Sequence, residues 1–328
     1  MDHEMNIRTE SKWGCLLCGG GGHRLYKDLT DAYCGTPGLW SFDKCTNPNC
    51  GLIWLNPAPI VEDLPLVYGG YFTQSGVSWL RSLLLRIYSA LNFIPQTWAG
   101  IGMEKARMEF MFLGDVEPGM LLDVGCGDGG FLNKMRGQGW EGEGIDFDEK
   151  AVANANKRYG RGFYWGSIHS MEYPDEHFDA VTSSHVVEHV PNPVAWLKEI
   201  WRITKPGGRI VLTTPNSASL GHKKFKEHWL AIQTPRHLHI YDLDSFSRLL
   251  RLAGVKPRIV RSTAANADTF FGASYSIRDS VSHKTNFAPR FSVMRTVKSI
   301  LYHYYEQEKV RNGKDCGEEI ICIIDKPK

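Results

Sequence analysis

Met120-Leu121-Leu122-Asp123-Val124-Gly125-Cys126-Gly127-Asp128-Gly129-Gly130 is the stretch on which the reading of the fold turns. The apolar run Met120 to Val124 has the length and composition of a buried strand, and Gly125 stops it. A glycine-rich loop follows and opens a helix over Phe131 to Arg136. Glycine allows the tight turn and lets backbone approach a ligand closely. Two acids colour this loop, Asp123 before it and Asp128 within it. A pyrophosphate at that helix N-terminus meets two negative charges, so a cationic ligand is favoured over a dinucleotide. Asp146 ends a second short run, Gly142 to Ile145, where a carboxylate can accept both hydroxyls of a ribose. An ordinary strand-turn-helix with surface acids is the competing reading.

The rhythm continues outward from this stretch. Lys150 to Tyr159 suits a helix, Phe178 to Thr182 a strand, and Val194 to Ile203 an amphipathic helix that Gly207-Gly208 would close. Arg209 to Thr213 reads as a strand and Leu243 to Ala253 as a helix capped by Gly254. Val255 to Val260 and Glu319 to Ile324 are the last strands. Strands alternating with helices predict an α/β fold, a Rossmann-like doubly wound sheet. Residues 264–315 interrupt the alternation. Val297, Ile300, Leu301 and Tyr304 recur at helical spacing, so one helix is expected within a helical insertion.

Several of these segments resemble the class I methyltransferases that use S-adenosylmethionine (SAM). Leu122-Asp123-Val124-Gly125-Cys126-Gly127-Asp128-Gly129 is similar to their first motif, and Gly144-Ile145-Asp146-Phe147-Asp148 to the motif after their second strand. Phe178-Asp179-Ala180-Val181 with His185-Val186-Val187-Glu188-His189-Val190 resembles the fourth strand and its turn. Lys205-Pro206-Gly207-Gly208-Arg209-Ile210 with Thr214-Pro215-Asn216 resembles the fifth. The resemblance implies a seven-stranded sheet whose last strand is antiparallel. It implies that Asp123, Gly125, Gly127 and Gly129 hold the methionine end of SAM, that Asp146 takes the ribose, and that Phe147 and Ile168 flank the adenine. Ser167 stands where the family often has Asp, and Ser184 falls with the cofactor residues.

His185, Glu188 and His189 are spaced i, i+3, i+4 and share one face of a helical turn. After the fourth strand, that face would lie beside the sulfonium. His189 or Glu188 can act as general base toward a hydroxyl acceptor. The same trio can instead hold a divalent cation, as in the quinone-pathway O-methyltransferases that this turn resembles. Simple capping and hydrogen bonding of the turn is the third reading. In similar proteins the segment after the fifth strand covers the substrate, which makes Asn216 and His237 substrate candidates. A loop histidine bonded to backbone is the rival account of His237.

The 328 residues contain eight cysteines, five of them before residue 51. Cys15-x2-Cys18 and Cys45-x4-Cys50 have spacings of tetrahedral zinc sites. Gly19 and Gly51 follow the second member of each pair, as backbone turning toward thiolates requires. A structural zinc is expected, with free thiols or an iron–sulfur cluster as alternatives, and Cys34 is spare. Together with Tyr68-Gly69-Gly70-Tyr71-Phe72, this region resembles the zinc-ribbon methyltransferases of small-molecule pathways, deoxysugar biosynthesis among them. That resemblance brings Tyr71 toward cofactor or substrate. The chain thus divides into a ribbon over residues 1–58, a helical linker or lid over 59–115 and a methyltransferase domain over 116–328. Trp79 to Leu91 is expected to form a lid or core helix.

Lys+Arg 38 against Asp+Glu 36 leaves a net charge of +2, which argues against a general nucleic-acid binder. No run of 18 apolar residues suggests a spanning helix, and the polar start does not read as a signal peptide, so a cytoplasmic enzyme is expected. The leading reading is methyl transfer to a small-molecule acceptor, a hydroxyl of a sugar, nucleotide sugar or phenol. A ribbon-bearing RNA methyltransferase and a non-catalytic SAM-binding interaction protein are the alternatives.

Overall fold

A computed structural model describes residues 7–32, 35–68, 100–282 and 292–328. Cys34, Tyr71 and the helix expected over Trp79 to Leu91 lie outside the described residues. The N-terminal part contains β1 (Thr9–Glu10), β2 (Gly22–Leu29), β3 (Trp40–Cys45), β4 (Ile53–Leu55) and β5 (Ala58–Pro59), followed by a 3-10 segment Val61–Tyr68. Helix α1 (Ile101–Glu109) precedes the alternating region. There β6 (Met120–Val124), α2 (Gly130–Arg136), β7 (Glu141–Asp146), α3 (Glu149–Tyr159), β8 (Phe163–Trp165) and β9 (Phe178–Ser184) follow one another. Then come α4 (Pro193–Ile203), β10 (Thr204–Pro215), α5 (Leu220–Phe225), β11 (His239–Ile240), α6 (Leu243–Ala253) and β12 (Ile259–Thr263). The chain closes with α7 (Ala267–Ser282), α8 (Val293–Arg311) and β13 (Glu319–Asp325).

Seven strands form one sheet in the order β12-β13-β10-β9-β6-β7-β8. β10, β9, β6, β7 and β8 run parallel, while β13 is antiparallel to both β10 and β12. This is the doubly wound, seven-stranded sheet with an antiparallel last strand. Strand alternation builds its two faces. Leu122, Val181, Leu212, Cys322 and Ile324 pack against α4 and α6 through Trp196, Leu197, Ile200, Phe246 and Leu249. Their neighbours Leu121, Ala180, Val211, Ile321 and Ile323 pack on the other face with Leu132 and Met135 of α2 and Val152 and Ala155 of α3. The helices begin where the sequence supplies caps. Asp148 accepts from the backbone of Lys150 and Ala151, Asn192 accepts from Ala195 just ahead of Pro193, and Asp242 and Ser245 form a reciprocal capping box.

Three sequence expectations need correction, and one strand was not foreseen. Gly207 and Gly208 do not close α4. The helix stops at Ile203, Thr204 is already extended, and both glycines lie within β10. Glycine is needed there because a Cβ on Gly208 would sit 2.9 Å from the Asp179 carbonyl oxygen. The strand expected over Val255 to Val260 is displaced to Ile259–Thr263. Gly254, at φ 75°, turns the chain so that the Val255 N–H donates back to Leu250 at 2.9 Å, which leaves Val255 buried under α6. The insertion holds two helices instead of one. Finally, β8 is only three residues long and carries no periodic signal, yet it completes the sheet edge.

A second sheet, in the order β11-β4-β3-β2, joins the N-terminal strands to the segment before α6. Ile53 pairs with Ile240 and Trp54 with His239, both antiparallel. Cys15, Leu17, Cys50, Leu52 and Trp54 pack in the same apolar cluster as Tyr241 and Phe246. The cysteine region and the large sheet therefore share a continuous core.

Candidate active site

The carboxyl ends of the parallel strands gather the polar residues that the sequence singles out. Asp123 sits near the end of β6, Asp146 ends β7 and Ser184 ends β9. Glu319 opens the antiparallel β13 opposite Pro215, so it lies at the same edge. In open α/β sheets this edge is where ligands bind.

The glycine loop adopts the backbone that glycine alone favours, with φ of 81°, 53° and 76° at Gly125, Gly127 and Gly129. The Gly125 N–H donates to the Ile145 carbonyl at 2.8 Å, and the Gly127 N–H donates to Asp146 Oδ2 at 2.8 Å. A Cβ on Gly125 would collide with Val186, so the loop presses directly on the turn after β9. Asp123 is buried and accepts from the Thr182 hydroxyl at 2.8 Å. Burial pushes its carboxyl up to about 7, against the Thr182 bond and with help from the Asp146 charge. Asp146 is also raised by burial, although the backbone N–H groups of Asp148 and Gly127 oppose this. Two carboxylates short of solvation suit a positively charged ligand.

Beyond Asp146, Phe147 is 67% exposed while Ile168 is buried. The Ser167 hydroxyl accepts from the Ser170 N–H at 3.1 Å, which closes a local turn. Trp165 is exposed and its indole N–H donates to the Phe147 carbonyl at 3.1 Å. This second aromatic was not singled out from sequence, though the triplet Phe163-Tyr164-Trp165 was visible there. The Ser184 hydroxyl hydrogen-bonds with that of Thr213 at 2.9 Å.

His185, Glu188 and His189 do fall in one turn, Val187–His189 being a 3-10 segment, but they do not act alike. His185, at φ 55°, places Nε2 2.8 Å from Glu319 Oε1 and Nδ1 3.3 Å from Glu188 Oε1. Burial lowers its basicity, but the bonds to the two carboxylates outweigh this and raise it to about 10. His185 is thus an imidazolium, with no lone pair for a proton or a metal. Glu188 is fully buried. Burial alone would raise it, and the bond to His185 takes it down to about 2, while its Oε2 accepts from the Thr214 hydroxyl at 2.9 Å.

His189 is neutral, its pKa lowered by burial. Its Nδ1 lies 3.0 Å from the Arg236 carbonyl oxygen and 3.0 Å from the Tyr68 hydroxyl. A carbonyl can only accept, so Nδ1 carries the proton and Nε2 keeps the lone pair. His237 is arranged in the same way. It is buried, its pKa is lowered to about 3 by burial, and Nδ1 donates to the Ala231 carbonyl at 2.8 Å. The rings of His189 and His237 meet edge to face at 4.6 Å. Glu188, His189 and His237 each offer a ligand atom within 4.8 Å of the others. The metal-capable trio in the structure therefore contains His237 where the sequence spacing suggested His185. Asn216 is fully buried, donates to the Gly317 and Asp315 carbonyls at 2.7 and 3.3 Å, and accepts from Ala218 at 3.0 Å. Its amide therefore has no free donor for an acceptor molecule. Glu319 was not anticipated, although a charged residue opening the apolar run Ile320 to Ile324 must find a partner when buried.

Cys15, Cys18, Cys45 and Cys50 converge with all four sulfurs within 4.8 Å. Cys15 Sγ lies 3.5 Å from Cys50 Sγ, and Cys18 Sγ 3.4 Å from Cys45 Sγ. A tetrahedral zinc thiolate with bonds near 2.3 Å has sulfur–sulfur edges of roughly 3.8 Å, so the four residues fit this ion. Gly19 and Gly51 have φ of 68° and 70°, as the expected turns toward the thiolates require.

Residues 102–258 match the family described as a methyltransferase domain. The ubiquinone biosynthesis O-methyltransferase of Thiobacillus denitrificans is 29% identical over 170 residues, 48% of this chain and 68% of that protein. The malonyl-[acyl-carrier protein] O-methyltransferase of Serratia marcescens is 31% identical over 131 residues, 39% of this chain and 51% of its own length. Other curated relatives are matched over about half of their length or less. Among solved structures, a Haemonchus contortus phosphoethanolamine N-methyltransferase 2 in complex with phosphomonomethylethanolamine and S-adenosylhomocysteine superposes with a TM-score of 0.51. That match is at 18% identity and covers 84% of this chain and 64% of that one, a likeness of fold. No helix of the described residues is long and apolar enough to cross a membrane.

Proposed function

We propose that this chain, a class I SAM-dependent methyltransferase, transfers a methyl group to a hydroxyl of a small molecule, a sugar, nucleotide sugar or phenol. The observation that carries this reading is the packing of the His189 turn against the glycine loop through Val186. On this reading the neutral His189 imidazole, which keeps its Nε2 lone pair, works beside the place where the cationic ligand fits. Bound SAM supplies an activated methyl on a sulfonium. Asp123 and the loop backbone then face its methionine end, Asp146 its ribose, and Phe147 with Ile168 its adenine. Trp165 adds a second aromatic wall.

In this reading His189 Nε2 takes the proton of the attacking hydroxyl. Buried Glu188, ionised at neutral pH, stabilises the imidazolium that forms. His185 is already charged and serves to hold Glu188 and Glu319 in place. Most of the acceleration comes from aligning acceptor and methyl. The names of the quinone and malonyl-carrier relatives favour oxygen as the methylated atom, and the resemblance of the cysteine region to sugar-pathway enzymes favours a polyhydroxylated acceptor. The four cysteines hold a structural zinc, and the ribbon, linker and methyltransferase parts are residues 1–58, 59–115 and 116–328.

The test is methyl transfer from SAM to a panel of nucleotide sugars, phenols and RNA, followed by mass. Product on a hydroxyl compound, lost in H189Q with SAM binding retained, is the expected result. Transfer to RNA alone would replace the reading, and full activity in H189Q would remove the base. The cluster of Glu188, His189 and His237 supports a second reading, in which a divalent cation polarises the acceptor oxygen. Activity that a chelator abolishes while the zinc stays bound would favour it.

A further inference from the structure

The short segment Arg236-His237-Leu238 is laced on both sides. On one side stands the cysteine region. The Arg236 guanidinium reaches Asp31 through two bonds, 2.8 Å to Oδ2 and 3.1 Å to Oδ1, and both side chains are buried at 0% and 1% exposure. The Leu55 N–H of β4 donates to the Leu238 carbonyl at 3.0 Å, and β4 continues in register with β11. On the other side stands the His189 turn. The Leu238 N–H donates to the Glu188 carbonyl at 2.8 Å, and the Arg236 carbonyl takes the Nδ1 proton of His189. The glycine loop makes none of these bonds. Beyond the loop itself and α2, its hydrogen bonds run to Ile145 and Asp146, and it meets the His189 turn only through the apolar contact of Val186 with Gly125.

We propose that the Asp31–Arg236 ion pair is a positioning device through which the N-terminal ribbon fixes the His189 tautomer and the place of His237. On this account the ribbon tunes the acceptor half of the site and leaves the SAM half alone. The proposal deepens the functional reading above and rests on it. A buried bidentate pair is a costly way to join two segments, because both charges lose solvation. Its geometric return is a fixed guanidinium plane. That plane sets the residue whose carbonyl decides which imidazole nitrogen of His189 is free.

Removing one partner would leave a buried charge and could unfold the region, so the test replaces both. D31L/R236M takes away the two charges together, a change that folded proteins often tolerate without loss of stability. Three quantities are measured on full-length, zinc-loaded protein: SAM affinity by calorimetry, ring nitrogen shifts of His189 by NMR, and kcat with KM for the acceptor found above. We expect SAM affinity within about two-fold of the parent, a His189 that loses its Nδ1–H signature, and a kcat at least tenfold lower. D31E, which keeps the pair, should restore part of the kcat. An unchanged His189 spectrum in the folded double variant overturns the proposal, and so does a collapse of SAM affinity parallel to kcat. The catalytic reading fails separately, through retained methyl transfer in H189Q, and the NMR result stands without any turnover assay.

Discussion

Gly129 offers the sharpest test of how the glycine loop is built. It caps α2 at φ 76°, and a Cβ there would lie 2.6 Å from Phe163 Cε1 and 3.0 Å from Ala155 Cβ. Both neighbours are buried, so neither can swing into solvent. Comfortable carbon contacts begin near 3.5 Å, so the loop or β8 must give by roughly 1 Å. Overpacking of this size costs about 1–3 kcal/mol, and placing alanine in the left-handed region adds about 1–2. Gly129→Ala should therefore destabilise the protein by about 2–5 kcal/mol. With an unfolding entropy near 2.1 cal/mol/K per residue, that is roughly 3–7 °C in Tm. A 1 Å displacement of a ligand loop should also weaken SAM binding at least about tenfold. Phe163→Leu removes the ring edge at a separate cost of about 1 kcal/mol, because it leaves a small cavity. In the double variant the backbone cost and the cost of Phe163→Leu should remain while most of the ring clash is relieved, so the two changes should fall short of additivity by about 1–3 kcal/mol. Thermal unfolding and calorimetric SAM titration of the four proteins read both effects. A G129A protein as stable as the parent, or strictly additive variants, would refute the argument from close packing.

Other outcomes follow from charge and metal. Because Asp123 is held near 7 by burial and must ionise to meet a cation, SAM affinity should fall about tenfold per unit below pH 7 and level off above it. Calorimetry between about pH 5.5 and 8.5 checks this, and Asp123→Asn should bind weakly with a flatter profile. Glu306 of α8 is fully buried, and burial with the nearby Glu318 charge raises its carboxyl to about 11. A raised carboxyl stabilises the fold fully below about pH 4.5 and loses that contribution as pH climbs toward the folded value. Glu306→Gln mimics the protonated form, so its stability advantage in denaturant unfolding should be absent near pH 4.5 and grow by up to about 1.4 kcal/mol per pH unit above it. A pH-independent difference would contradict this. Metal analysis of the purified chain should find one zinc held by the four cysteines, and Cys50→Ser should release it and lower Tm by several degrees.

Four of the five parallel strands were legible in the sequence, β6 as an apolar run stopped by Gly125, β7 as a short run ended by Asp146, and β9 and β10 through their apolar stretches Ala180-Val181 and Ile210 to Leu212. Helices α3, α4 and α6 carry side-chain caps that chemistry dictates. The cysteine spacing and its trailing glycines were equally plain. What escaped the sequence has physical causes. β8 has three residues, too few for any period. In α8 the helical spacing of Val297 and Leu301 revealed the helix but not its orientation, since those two are exposed while Ser299, His303 and Glu306 face inward. A buried polar stripe has no periodic hydrophobic signature. At the site, spacing correctly placed His185, Glu188 and His189 in one turn. It could not tell that Glu319, from a distant strand, would turn His185 into an imidazolium. His237 came forward from family likeness, and only the tertiary fold shows it against His189. Asp31 carried no signal at all, because its meaning depends on a partner in another region of the chain.

The pairing of β4 with β11 also governs the order of events as the chain is made. Ile53 to Leu55 emerge from the ribosome long before His239 and Ile240 exist. Until then β4 is a bare, apolar edge with unmatched backbone groups, the kind of edge that recruits a neighbouring nascent chain. Convergence of the four early cysteines can fold the hairpin locally, but it cannot cover that edge. The interval between the folding of that hairpin and the arrival of β11 is therefore one in which the free edge of β4 is open to a neighbouring chain.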